Sequence, residues 1–175
     1  IGKVQSHAGM NLALERLGFD VTELSPVELE EAGLAGFDTF IYNGTESLIS
    51  TNLSAANKEF GFQNAEQLAK FKANINAFIA DGGKYIAAGA GASRATKTLG
   101  LTTATINTGG SNSNGIVSVD YDGTGITAGY GQDDIGFVYR PAWYTGVDAE
   151  EVEASFDDSN FFMAGHWKGS EAASG

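Results

Sequence analysis

The sequence predicts an α/β fold in three layers. A mainly parallel sheet would lie between helices, with an antiparallel extension in the second half. Three observations predict it. Strand-type and helix-type patterns alternate from the first residues to Leu99. The run Tyr85-Ile86-Ala87-Ala88 is apolar without alternation and enters a glycine turn, as a strand covered on both faces would. Beyond Leu101 the texture changes to short β-rich runs separated by glycine-rich turns.

The elements follow in order. Ile1-Gly2-Lys3-Val4 leaves no room for a full strand before a helix carrying Met10, Ala13, Leu14 and Leu17 at i, i+3, i+4, i+7, which Gly18 stops. That opening implies a first strand lying mostly upstream, and a domain that is a piece of a longer polypeptide. Phe19 to Leu24 reads as a short strand. Ser25-Pro26-Val27-Glu28 starts a helix, since Ser25 can cap it, Pro26 needs no N–H there, and Glu28 can reach back to the cap amide. Phe37 to Tyr42 is the next strand, ended by Asn43-Gly44-Thr45. A long helix capped by Asn64 carries the stripe Leu68, Phe71, Ile75, Phe78 and Ile79, and Gly82-Gly83 ends it. After the Tyr85–Ala88 strand, a helix is expected from Ser93 to about Leu99. Thr103–Thr108, Gly115–Val119 and Phe137–Tyr144 are expected strands, Ala149–Ala154 one helical turn, and Phe161–Trp167 a late strand.

Composition bounds the function. A chain of 175 residues with 42% apolar and 18% charged residues can bury the core of a single domain spanning 1–175. A net charge of −12 repels phosphate backbones and anionic lipid, which disfavours nucleic-acid and membrane partners. The basic residues Lys70/Lys72 and Arg94/Lys97 read as solvated helix faces. With no cysteine, disulfides, thiolate metal sites and a cysteine nucleophile are all excluded.

The segment Asp81-Gly82-Gly83-Lys84-Tyr85-Ile86-Ala87-Ala88-Gly89-Ala90-Gly91-Ala92 resembles the nucleophile elbow of class I glutamine amidotransferase-like domains. The family pattern there is G-x-C-x-G, and the matching positions run from Ala87 to Gly91, so the nucleophile position falls on Gly89. Asp38 to Thr45 resembles the family's strand ending in a glycine loop that helps form an oxyanion site, with Gly44 as the matching glycine. More narrowly, the order of LGFDV, GFDTFIYNG, GGKYIAAGAGA, GITAGY and FVYRPAWY, closed by Phe161 to Trp167, is similar to amidotransferase-like domains appended to secreted bacterial zinc carboxypeptidases. The resemblance implies a flavodoxin-like three-layer sandwich and a secreted or cell-surface bacterial setting. It implies as partner a catalytic domain of the same polypeptide, where any zinc would reside; this domain itself would need no cofactor.

The departures from the family pattern decide the expected chemistry. Amide hydrolysis there needs a thiolate, a histidine base and an acid that orients it. Gly89 has no side chain, and His166 is followed by Trp167 and Lys168 where the family has H-x-E. Loss of a nucleophile removes about 10⁶ of rate in one dissected hydrolase. The domain is therefore expected to be non-catalytic.

Other patterns in the chain point to rival chemistries. Gly91-Ala92-Ser93-Arg94-Ala95 nearly spells the serine-hydrolase elbow G-x-S-x-G, but Ser93 falls past the turn, where its hydroxyl would cap helix amides. The two histidines, His7 and His166, lack metal-ligand spacing. Asp120-Tyr121-Asp122-Gly123-Thr124-Gly125 resembles part of a calcium loop without its distal glutamate, and a hairpin turn explains it. Gly89-Ala90-Gly91 before a helix could cradle an anion. The expected binding residues are Gly44, Thr45, Gly89, Ala90, Gly91, Ser93 and His166, facing a peptide or a small carboxylate.

Overall fold

The computed structural model describes residues 2–5, 9–49, 62–109, 113–156 and 162–166. His7 lies outside them, as does Trp167. The chain divides into two units, 1–102 and 103–175, at the point where the sequence texture changes.

In the first unit the order is β1 (Gly2–Gln5), α1 (Gly9–Arg16), β2 (Thr22–Glu23), α2 (Pro26–Ala32), β3 (Thr39–Asn43), a 3₁₀ turn (Glu46–Ile49), α3 (Ala65–Ala80), β4 (Lys84–Ala87) and α4 (Ala90–Thr98). The sheet order is β2-β1-β3-β4 and every pairing is parallel, which is the flavodoxin-like order. A short strand, β1, lies where the opening residues were expected to leave no room for a full one, and it is held from both sides, Gly2 to Gln5 pairing with Phe40 to Asn43 and Gly2-Lys3 with Thr22-Glu23. Strand β2, at the edge of this sheet, is two residues long, and Phe19 stands outside it, half exposed.

Local chemistry explains the helices. At α2, Glu28 N donates to Ser25 Oγ (3.1 Å) while Ser25 N donates to Glu28 Oε2 (2.7 Å), so the two side chains satisfy each other's orphan amides. Those bonds hold the Glu28 carboxyl below its ordinary pKa. At α3, Gln67 N donates to Asn64 Oδ1 at 2.9 Å. Phe71, Ile75 and Phe78 are buried as the stripe predicts, while Ile79 turns to solvent. They join Leu29, Leu34, Phe40, Tyr42, Ile49, Phe62, Ala92, Ala95 and Leu99 in one core.

Three departures matter. Helix α1 buries no residue: of its expected stripe Met10 and Leu14 are half-buried while Ala13 and Leu17 are exposed, as is Leu12 beside them. Strand β4 is not covered on both faces: it ends the sheet path and leaves Ile86 half exposed. Lys70 is not merely solvated, because its Nζ lies 3.0 Å from Oε1 of the buried Glu30 and ties α3 to α2.

The second unit is antiparallel, as expected. Strand β5 (Thr105–Thr108) pairs with β8 (Ala142–Thr145). Strand β6 (Asn114–Tyr121) pairs with β7 (Asp134–Tyr139), β9 (Ala154–Phe156) and β10 (Phe162–His166). The expected strand Phe137–Tyr144 is two strands in different sheets. Arg140 adopts a left-handed φ of 50° and Pro141 lacks an N–H, so the ladder breaks between them. Ala149–Glu151 is a single 3₁₀ turn. In the loop after β6, the Asp122 carboxylate accepts from Thr124 N (2.9 Å), Thr124 Oγ1 (2.6 Å) and Thr127 Oγ1, which makes a self-satisfied turn rather than an open ion loop.

Candidate functional site

In parallel α/β sheets ligands gather at the carboxyl ends of the strands, where the chain turns into the next element. Two such turns meet in the first unit. Strand β3 runs through buried Asn43 and Gly44 into the turn Thr45–Ile49, and β4 runs through Ala88 into Gly89 and α4. Ala88 N donates to Tyr42 O at 3.0 Å, carrying the β3–β4 pairing one residue beyond the strand.

Gly89 is the N-cap of α4 and has φ 92°, ψ 164°. Side-chain-bearing residues avoid that region, yet a Cβ placed there would meet no atom within 4 Å. The bend is thus open and bare. Gly89 offers no side chain to cap α4, and among the described residues no side-chain cap bond forms there.

Gly91 shows how tightly the two turns approach. A Cβ there would lie 3.0 Å from Gly44 O and 3.1 Å from Thr45 Cα. Gly44 is closely packed in turn, since its own Cβ would stand 2.9 Å from Leu48 Cδ1 and 3.0 Å from Tyr42 Cζ. The approach is clamped from both sides. Thr98 Oγ1 of α4 donates to Glu46 Oε1 (2.7 Å), and Arg94 Nε lies 3.8 Å from Glu46 Oε2. Tyr42 OH donates to Thr45 O (2.8 Å), and Thr45 Oγ1 shares a bond with Ser47 Oγ (2.7 Å). Burial, with the charges of Tyr85 and Glu46 beside it, pushes the Tyr42 phenol well above its ordinary pKa, so it remains a neutral donor.

The structure brings Gly44, Thr45, Gly89, Ala90, Gly91 and Ser93 together at this sheet end. Helix α4 begins at Ala90, three residues earlier than expected, because Gly89 supplies the turn. Ser93 therefore lies inside the first turn and caps nothing. Its hydroxyl is buried and donates to Gly89 O at 3.1 Å, the back-bonding typical of a helix-interior serine. His166 belongs to the other unit, as the last residue of β10 opposite Asn114. The clamp by Glu46 escaped sequence reasoning, since Thr98 and Arg94 lie far from it along the chain and no local spacing announces the contact.

Cavities also lie elsewhere. One of about 700 Å³ sits at the opposite end of β3 and β4, between Gly36, Asp38, Asn74, Asp81 and Lys84. Another of about 530 Å³ in the second unit is lined by Trp143, Tyr144, Val152, Glu153 and Phe156. Among the described residues no group of three or more His, Cys, Asp or Glu could hold a metal ion, and no helix is long and apolar enough to cross a membrane.

This arrangement, a parallel sheet of order β2-β1-β3-β4 with a glycine elbow opening α4, is a flavodoxin-like α/β fold. Among solved structures the chain is similar to a protein of Thermoplasma acidophilum provisionally described as one of the subunits of GMP synthase. The match has a TM-score of 0.56 at 15% identity over 89% of this chain and 72% of that one. No protein-family model and no curated protein matches the sequence.

Proposed function

We propose that the chain is a non-catalytic, glutamine amidotransferase-like accessory domain of a secreted hydrolase, a zinc carboxypeptidase being the parent that the sequence resemblance favours. Its work would be to pack against, stabilise or position a catalytic domain of the same polypeptide, or to hold a segment of its substrate. The carrying observation is Gly89, whose open, left-handed bend at the start of α4 carries no side chain. Nothing at that bend can form a covalent intermediate, and Ser93 beside it is buried with its hydroxyl turned to a backbone carbonyl. The activity suggested by the neighbour's description is not transferred at 15% identity. Purified chain incubated with glutamine should release no ammonia above buffer. Turnover that survives repurification would end the proposal.

A second reading has its own support. The bare bend and the uncapped amides of α4 form a setting that favours a small anion, so the vestigial cleft could bind a carboxylate. A panel of carboxylates and short peptides should then raise the melting temperature of the chain, and Gly91→Leu should abolish the shift. No shift across the panel would remove this reading. A serine hydrolase using Ser93 with His166 has the least support, and a fluorophosphonate that labels wild type but not Ser93→Ala would be needed to revive it.

A further inference from the structure

We infer that the cavity of the second unit is a binding site for a small organic cation, an ammonium group carried on an apolar body. The cavity holds about 530 Å³, inside the ~300–1,000 Å³ common for small-molecule sites. Its walls come from β6, β8, β9 and the 3₁₀ turn between the last two. Three aromatic residues, Trp143, Tyr144 and Phe156, line it together with Val152. Trp143 and Phe156 are half-buried, while Tyr144 and Val152 are more exposed, which leaves ring and methyl surface for a ligand to cover. The charged residues of the lining are both carboxylates, Glu151 and Glu153.

The lining and the charge around it select the ligand. Aromatic faces attract cations through their quadrupole, and neighbouring carboxylates add direct attraction. Among the described residues no ion pair engages Glu151 or Glu153; Glu153 Oε2 accepts a long bond from Thr127 Oγ1, at 3.5 Å. The second unit as a whole has eleven acidic residues against two basic ones, Arg140 and Lys168, so −9 of the chain's −12 lies in it. Such a field gathers cations and turns anions away before contact. A neutral ligand would gain only apolar contact in this cavity. A metal ion would leave the rings uncovered, and no group of three or more His, Cys, Asp or Glu could hold one among the described residues. An ammonium on an apolar body uses both parts of the lining. Every lining residue falls between 119 and 156, so the inference does not rest on the chemistry of the bend at Gly89.

The full chain carrying Trp167→Phe has Trp143 as its single tryptophan, a reporter in the cavity wall. Three probes share one ring and differ in charge: phenethylammonium, phenethyl alcohol and phenylacetate. Titration with phenethylammonium at low salt should change the Trp143 emission saturably and release or absorb heat in calorimetry. The alcohol should bind about tenfold more weakly, phenylacetate should not bind, and added salt should weaken the ammonium. Glu151→Gln combined with Glu153→Gln keeps the side-chain shapes and should preserve the circular dichroism. It should weaken phenethylammonium by about tenfold and leave the alcohol unchanged. No saturable response to phenethylammonium by emission or heat, equal affinity for the ammonium and the alcohol, or ammonium binding undiminished in the double variant would each overturn the inference.

Discussion

The behaviour of three residues carries much of the account. Replacing glycine by alanine inside a helix usually stabilises by about 1 kcal/mol. At Gly91 the sign should reverse, because the new methyl would press on the Gly44 carbonyl at 3.0 Å and Glu46 holds that turn against α4. Urea unfolding of Gly91→Ala should show a lower midpoint than wild type; a higher one would mean that the two turns can separate. At Gly89 the surroundings are empty, so Gly89→Ala meets only backbone strain, about 1–3 kcal/mol by the usual cost of such conformations. Asp122 predicts a pH effect. Hydrogen bonds from Thr124 and Thr127 hold its carboxyl down to about 2. Its folded pKa is therefore depressed, and its stabilising effect is full above the unfolded value of about 3.9. The effect fades as pH falls through that value toward about 2. Between pH 5 and 2, on the order of this window, Asp122→Asn should lose less melting temperature than wild type does; parallel curves would contradict the assignment.

Whether an element could be read from the sequence depended on whether its determinants are local. The capping box of α2, the Asn64 cap and apolar stripe of α3, and the glycine stop at Gly82 follow from spacings of three or four residues, and the structure has each where the spacing puts it. What escaped was set by partners distant in the chain. Strand β1 exists because β2 and β3 pair with it, and four residues give too little pattern to detect alone. The stripe on α1 has the right period yet is at most half-buried, since period reports which face could be buried and not how far anything buries it. The break at Arg140-Pro141 was legible in principle, because a proline within an apparent strand argues for a boundary. The elbow glycines were visible as a motif, whereas Gly91's close approach to Gly44 needed coordinates. Two substitutions test the packing of α3. Phe71→Ala should destabilise by about 3–5 kcal/mol, as loss of a fully buried ring does. Lys70→Ala should cost about 1–3 kcal/mol by leaving the buried Glu30 carboxylate without its cation. Chemical denaturation reads both, and a loss at Phe71 no larger than at an exposed site would contradict the core assignment.

At the scale of the whole chain, an α/β unit of flavodoxin-like order is followed by an antiparallel unit, and the change of sequence texture after Leu101 marks the division between them. The first unit has the flavodoxin-like strand order, and the chain is acidic and contains no cysteine. All of this depends on Gly89 occupying an elbow at a helix N-terminus, and a single thiol placed there measures it. In Gly89→Cys that thiol would be the only one in the chain, and helix amides favour the thiolate, lowering the pKa from the ordinary value of about 8.5. The pH dependence of alkylation by iodoacetamide should therefore have a midpoint below that of Ala128→Cys, an exposed position in the other unit. A midpoint at or above the Ala128→Cys value would place residue 89 outside any elbow and contradict the account.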